Sequence, residues 1–211
     1  LPKVLVPLAG RPLLDHVLAA ARELAPEAIH VVYGHRGGAL RAAFDDASDL
    51  RWVHQAEQRG TGHAVSLALR EVGDDARVLV LYGDVPLLTA ITLRTLTEAP
   101  AQLAVLTAYL NDPHGYGRVL TDAAGHVTRV VEERDATPEE RRGHVVNTGV
   151  VAAHAGALRN WLGQVRPNNS QGEFYLTDVF ALAAADQAPA LAVPCVDPME
   201  AFGANDAWQL A

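Results

Sequence analysis

Four short strand-like segments, at 28–33, 51–55, 78–82 and 103–110, are separated from one another by segments whose apolar residues recur at helical spacing. This alternation constrains the chain more than any other feature. A short strand and an amphipathic helix each leave an apolar face bare when alone. Repeating strand, helix, strand covers both by laying helices over a mostly parallel sheet. Leu14, Val17, Leu18 and Ala21 follow the i, i+3, i+4, i+7 rule and predict a helix over about 12–24, with Pro12 tolerated in its first turn. The spacing predicts further helices over 38–44, over 60–72, and over about 90–98. Arg77-Val-Leu-Val-Leu-Tyr-Gly-Asp84 reads as a buried parallel strand that ends in a tight turn carrying one carboxylate.

After Asn111 the pattern changes. Segments 118–120 and 127–132 flank Asp122-Ala-Ala-Gly125 and predict a β-hairpin, and 145–153 predicts another strand. Helices at about 155–165 and 177–185, a last strand at 190–196 and a short helix starting near Asn205 complete the expected order. The expectation is one α/β domain over 1–211. It has a doubly wound core with a mixed, mostly parallel sheet flanked by helices, and a small β-rich lobe at about 111–153.

Composition sets the limits. With 211 residues, 49% of them hydrophobic and 20% charged, the chain can bury a sizeable core. Its formal net charge of -8 opposes non-specific binding to nucleic acid and to anionic membranes. No apolar run reaches transmembrane length and no signal peptide is seen, and the lone cysteine fits the reducing, cytoplasmic setting that is expected. The single cysteine, Cys195, lies in an apolar run and reads as a buried small hydrophobe with no internal disulfide partner. The only methionine is Met199, so the numbering does not begin at an initiator and an upstream segment is expected.

In open α/β sheets ligands gather beyond the carboxyl ends of strands. Asp84 stands at such an end, where it either meets a divalent metal or a phosphate-bearing ligand or caps the helix that starts near Thr89. Gln55 ends the preceding strand, and Gly60-Thr61-Gly62-His63-Ala64 opens the next helix. A Gly-rich helix start exposes backbone N–H groups and lets a flat ring come close, and an amide that both donates and accepts suits the edge of a pyrimidine. The plainer alternative is that Thr61 caps the helix and Gln55 is solvated. The segment is not a dinucleotide fingerprint, because position 65 is Val and no suitably spaced acidic strand end follows.

Gly117, in Asp112-Pro-His-Gly115-Tyr-Gly117-Arg118, either lets the backbone approach a ligand or simply makes a turn. Glu132 and Glu133 alternate across a strand, so one can face a cleft and the other water. Asn147 puts an amide among β-forming residues, to be satisfied by a ligand or by backbone. Thr177 and Asn205 read as helix N-caps unless something else uses them. The nine histidines read as mostly surface, and no Ser/His/Asp order, zinc spacing or Walker loop stands out.

Seven segments taken in order carry a resemblance to a known family. They are Leu1-Pro-Lys3-Val-Leu5; Gln55-Ala-Glu-Gln-Arg-Gly60-Thr61-Gly-His-Ala64; Leu81-Tyr82-Gly83-Asp84-Val-Pro86-Leu; Asp112-Pro-His-Gly115-Tyr-Gly117-Arg118; Val131-Glu132-Glu133-Arg-Asp135-Ala; Asn147-Thr148-Gly149; and Gln171-Gly-Glu173-Phe-Tyr175-Leu-Thr177-Asp178. Together they resemble the pyrophosphorylase domain of the bacterial bifunctional enzymes that make UDP-N-acetylglucosamine, along the whole of residues 1–211.

The resemblance implies a Rossmann-like nucleotidyltransferase fold. It implies Mg²⁺-dependent uridylyl transfer from UTP to N-acetylglucosamine 1-phosphate, which gives UDP-N-acetylglucosamine, a cell-wall precursor, and pyrophosphate. By matched position Gln55, Gly60 and Thr61 read the uracil, Lys3 meets phosphate, and Tyr82, Gly83 and Asp84 belong to the nucleotide site. Lys3 and Asp84 are the implied catalytic residues, and Asp84 and Asn205 the implied metal ligands. Gly117, Glu132, Asn147, Tyr175 and Thr177 are implied to hold the sugar phosphate. Two alternatives stay open: a nucleotidyltransferase for another sugar 1-phosphate, and a catalytically silent nucleotide-binding fragment. The family carries a first strand and a Gly-rich phosphate loop just before its Leu-Pro-Lys segment. That strand is expected inside the sheet, and its loss is expected to damage the core and silence turnover. The family's C-terminal half is a left-handed β-helix with acetyltransferase activity. Nothing in 1–211 resembles it, so acetyl transfer and homo-oligomers built through that half are not expected of this chain.

Overall fold

A computed structural model of the chain describes residues 2–35 and 37–203. After a 3₁₀ turn at Lys3–Leu5, the two-residue strands β1 (Pro7–Leu8) and β2 (Arg11–Pro12) pair antiparallel. Helix α1 (Leu13–Arg22) follows directly with Pro12 at its N-cap, and buries Leu13, Leu14, Val17, Leu18 and Ala20. Strand β3 (Ile29–Tyr33), helix α2 (Gly37–Ala43) and strand β4 (Leu50–His54) make a strand–helix–strand unit with parallel strands. Then come α3 (Thr61–Ala68), β5 (Arg77–Val80), α4 (Ala90–Thr97) and β6 (Leu103–Tyr109).

The β-rich part opens with the hairpin of β7 (Arg118–Thr121) and β8 (His126–Val131). Helix α5 (Pro138–Arg141) follows, started by a reciprocal capping box between Thr137 and Glu140. Strand β9 (Val145–His154), helices α6 (Ala155–Leu162) and α7 (Asp178–Ala185), and strand β10 (Ala190–Pro194) complete the elements, with a 3₁₀ turn at Pro198–Ala201. The helix expected near Asn205 lies outside the described residues.

Six strands form one sheet in the order β5-β9-β6-β10-β8-β7. Only β6 and β10 are parallel neighbours in it, which corrects the expected mostly parallel order for the described strands: the sheet is mixed, and β9 pairs antiparallel with both β5 and β6. Strands β5, β6, β10 and β7 run one way, and β9 and β8 run the other. The ten residues of β9 tie the two halves together. Its C-terminal half lies between β5 and β6, and its N-terminal end reaches β7 at Arg118↔Val146. Side chains of β6 alternate between two cores. Leu103 and Val105 pack with Leu158, Trp161 and Phe180 beneath α6 and α7, whereas Ala104 and Leu106 pack with Leu93 and Leu96 of α4.

The expectation for β5 is corrected. It is half-buried along its length and its partner β9 is antiparallel. The physical reason is its position. Among the described residues β5 pairs with β9 alone, and β3 and β4 form a separate two-stranded sheet. Between β3 and β5 lies a cavity of about 890 Å³, walled by Val31 and Val32 on one side and Leu79 and Val80 on the other.

Candidate active site

The site is assembled around the turn that leaves β5. Val85 N–H donates to Tyr82 O at 3.3 Å and closes that turn. Asp84 does not cap α4, because Thr89 takes that role by accepting from Thr92 N–H. Instead Asp84 Oδ2 lies 2.5 Å from Lys3 Nζ, with the two side chains 26% and 41% exposed. Gly83 makes the approach possible: a Cβ there would sit 3.2 Å from Val4 and 3.3 Å from Leu14.

Tyr82 reaches the other way. Its ring covers Gly149, where φ is 86° and a Cβ would come within 2.4 Å of the ring. Burial above all, with the carboxylates of Glu132 and Asp84 nearby, pushes the Tyr82 phenol up to about 12, against the effect of a hydrogen bond with Thr61. The group therefore stays protonated at neutral pH.

Thr61 opens α3 without capping it. Gly60 is the N-cap, and the Thr61 hydroxyl accepts from Leu176 N–H at 3.0 Å. Gly62 N–H donates to Phe174 O at 2.8 Å, and Phe174 N–H donates to Arg59 O at 2.8 Å. The segment before α7 is thus zipped onto the start of α3. Gly60, at φ 106°, permits it, since a Cβ there would meet Phe174 O at 2.6 Å. Gln55 is not simply solvated. Its Nε2 donates to Gly60 O at 3.1 Å and lies 3.1 Å from His63 Nδ1.

The zipped segment delivers Tyr175 and Thr177. The Thr177 hydroxyl donates to Glu132 Oε1 at 3.0 Å and makes no cap for α7. Gly117 lies against this carboxylate: a Cβ there would stand in ordinary contact with Glu132 Oε2, at 3.4 Å. Gly117 O accepts from Asn147 N–H at 2.9 Å, and Asn147 Oδ1 accepts from Gly149 N–H at 2.9 Å. Burial raises the Glu132 carboxyl above its usual range, opposed by the Thr177 bond. Burial also raises Asp178, with help from Glu132 and Asp135, and raises the Tyr175 phenol. Negative charge is crowded at this end of the site.

A continuous run of contacts therefore links Gln55, Gly60, Thr61, Tyr82, Gly149, Asn147, Gly117, Glu132 and Thr177. Lys3, Gly83 and Asp84 join it through the turn at Tyr82, and Tyr175 through the segment it shares with Thr177. Asn205 lies outside the described residues. Among the described residues no group of three or more His, Cys, Asp or Glu could hold a metal ion. Among the described residues Asp84 brings a hard-oxygen donor, which fits a divalent cation that takes most of its ligands from water and phosphate, rather than an all-protein cage.

Two residues escape sequence reasoning. Arg118 is 2% exposed and bonds Glu133 Oε2 at 2.7 Å, Arg141 O at 3.1 Å and Tyr116 O. Glu133 thus neutralises a buried guanidinium instead of facing water. The adjacent acids Glu132 and Glu133 were the available signal, since one of a pair on alternating faces turns inward. The other is His63, whose only mark in the sequence is its place in the Gly-rich helix start after Gln55.

Comparison with known proteins adds the family. Residues 2–175 match the model of the MobA-like NTP transferase domain. Over 211 residues the chain is 57% identical to the bifunctional protein GlmU of Xanthomonas oryzae pv. oryzae (strain MAFF 311018), covering all of this chain and 46% of that protein. The bifunctional protein GlmU of Stenotrophomonas maltophilia (strain R551-3) gives the same 57% identity and the same coverage. The chain thus spans about half the length of the curated relatives it matches, and the expected kinship with a bifunctional bacterial enzyme is borne out. In fold it is similar to a crystal structure of UDP-glucose pyrophosphorylase complexed with UDP-glucose, with a TM-score of 0.74 and 16% identity over 92% of this chain and 82% of that one. The α/β fold with its mixed sheet is confirmed, and with residues 2–175 matched to its model, the chain belongs to the MobA-like NTP transferase domain family.

Proposed function

We propose that this chain transfers the uridylyl group of UTP to N-acetylglucosamine 1-phosphate, giving UDP-N-acetylglucosamine and pyrophosphate, with Mg²⁺ as its metal and the cytoplasm as its setting. The supporting observation is the run of contacts from Gln55 and Thr61 through Tyr82 to Glu132 and Thr177. A base held at one end and a sugar at the other would share the α-phosphate between them, on the side where Lys3 meets Asp84.

A sugar phosphate oxygen is already anionic near neutral pH, so the reaction needs position and charge screening more than a base. That oxygen attacks the α-phosphorus. As the new P–O bond forms, the bond from the α-phosphorus to the bridging oxygen breaks and pyrophosphate leaves. The Lys3 ammonium offers positive charge to the phosphates. Glu132 accepts from sugar hydroxyls while Thr177 holds one of its oxygens in place. Tyr82, kept protonated, positions Thr61 and takes no part in proton transfer. Mg²⁺, held by Asp84 with Asn205 as second protein ligand, would supply charge that screens the phosphates when bound.

The test is pyrophosphate release from UTP, N-acetylglucosamine 1-phosphate and Mg²⁺. Turnover of glucose 1-phosphate but not of the N-acetyl sugar would move the reading to another sugar. UTP binding by calorimetry without pyrophosphate release would reduce it to a binding module.

The domain is proposed to be one nucleotidyltransferase unit whose sheet is completed by a further strand between β3 and β5, the place the family's first strand would take. Support comes from the cavity of about 890 Å³ and from His30 Nδ1 on its β3 wall, buried without a hydrogen-bond partner among the described residues. A strand there would give the open edges of β3 and β5 their backbone partners.

A further inference from the structure

His63 lies in the first turn of α3, three residues after Gly60, and nothing in the proposed reaction uses it. Its geometry with Gln55 is closely determined. Gln55 Nε2 lies 3.1 Å from Gly60 O and 3.1 Å from His63 Nδ1. A carbonyl oxygen can only accept, so the amide edge turned toward Gly60 is the NH₂. The second N–H of that group then faces His63 Nδ1, which has to accept it. This requires a neutral imidazole with its proton on Nε2. Turning the amide over would set two oxygens against each other at Gly60 and leave Nδ1 facing an acceptor. Both donors of the Gln55 amide are therefore used inside the protein, and what it presents outward is Oε1, an acceptor.

We infer that His63 is a positioning residue for base selection: by taking the second N–H of Gln55 it holds the amide so that only an acceptor meets the base. The inference rests on the reading of Gln55 as the base contact and deepens it. A base with a ring N–H, such as uracil or thymine at N3, satisfies that acceptor. Cytosine, whose N3 is itself an acceptor, opposes it with a lone pair. Sites built around one hydrogen-bonding pattern reject the mismatched partner because buried polar groups are then left unpaired. Without His63 the amide is held by Gly60 O alone and can turn, and discrimination falls.

The experiment compares UTP and CTP binding by calorimetry, and KM against kcat for UTP, in the complete protein and in its His63→Phe, His63→Asn and Gln55→Ala variants. His63→Phe is expected to lower the UTP-to-CTP affinity ratio by about 10-fold. Its KM for UTP should rise while kcat stays within about 2-fold, a split that fits lost positioning of the base rather than lost chemistry. His63→Asn puts an acceptor oxygen close to where Nδ1 stood and should restore most of the ratio. In the wild-type protein, ¹⁵N correlation spectra of the imidazole should show the proton on Nε2, assigned by its absence from the His63→Asn spectrum. That measurement decides the matter even if a variant folds poorly. A proton on Nδ1, or a His63→Phe ratio equal to wild type while Gln55→Ala lowers it, would overturn the inference and leave Gln55 in place. A Gln55→Ala ratio equal to wild type would overturn the Gln55 reading, and this inference with it.

Discussion

Lys3 Nζ and Asp84 Oδ2 stand 2.5 Å apart, an ion pair between the start of the chain and the turn that leaves β5. Both side chains are partly solvated, 41% and 26% exposed, and pairs of this kind contribute about 0–1 kcal/mol to stability. The pair is thus a poor stabiliser standing where phosphate and metal are proposed to meet. Asp84→Ala should cut pyrophosphate release on the order of 10³-fold, as expected when several kcal/mol of charge stabilisation are lost. Its melting temperature should stay within about 3 °C of wild type. Near-normal turnover in that variant would remove Asp84 from the site.

Much of the fold was legible because the deciding forces are local. The stripe Leu14, Val17, Leu18 on α1 is buried as its spacing requires. The hairpin turn at Asp122 closes on its own side chain, whose Oδ1 accepts from Ala124 N–H and His126 N–H. What was not legible depends on distant partners. Thr61 and Thr177 both precede or open helices and look like caps, and a Thr has the same neighbours in sequence whether its hydroxyl turns back to the helix or across to another segment. In fact they bond Leu176 N–H and Glu132, 115 and 45 positions away. The half-buried state of β5 was hidden for the same reason, since its apolar run says nothing of which neighbours it has.

Glu132 gives a pH-dependent prediction. Burial raises its carboxyl above the usual range, so the folded protein holds that proton more tightly than the unfolded chain does. The resulting stability is fully present below the ordinary glutamate range and is lost as pH rises through the folded value. At pH 8 the ionised group therefore opposes folding. Glu132→Gln should raise the melting temperature relative to wild type at pH 8, by about 2–4 °C for each kcal/mol in a chain of this size. The gain should shrink toward pH 4. The same variant should raise KM for the sugar phosphate about 10-fold, because an acceptor oxygen becomes a donor. A stability gain that grows on acidification would contradict the assigned cause.

Arg118 and Glu133 should behave oppositely to Lys3 and Asp84. Arg118 is 2% exposed, so Glu133→Gln strands a buried guanidinium. Breaking such a pair costs about 3–5 kcal/mol, and the partial exposure of Glu133 places the expected loss near 3 kcal/mol. Urea unfolding should show this loss and should show part of it recovered in Arg118→Met/Glu133→Gln, where the stranded charge is gone. A small loss in Glu133→Gln with a larger one in the double variant would mean that backbone bonds to Tyr116 and Arg141, not the ion pair, hold Arg118.

Asn147 and Gly149 allow stability to be separated from binding on a single strand. Gly149 has φ of 86°, and a Cβ there would press on the Tyr82 ring at 2.4 Å. Gly149→Ala should cost roughly 2–4 kcal/mol through strained backbone and overpacking, a fall of about 4–16 °C in melting temperature. Asn147 spends its Oδ1 on Gly149 N–H, so what it offers a ligand is its NH₂. Asn147→Asp keeps the acceptor and removes those donors while adding negative charge to an already acidic site. It should fold normally yet raise KM for the sugar phosphate at least about 10-fold. Asn147→Ala should lose the bond to Gly149 as well, adding about 1 kcal/mol of instability to a similar binding defect. An Asn147→Asp variant with unchanged KM would show that the amide donors never meet the sugar phosphate, whatever its stability.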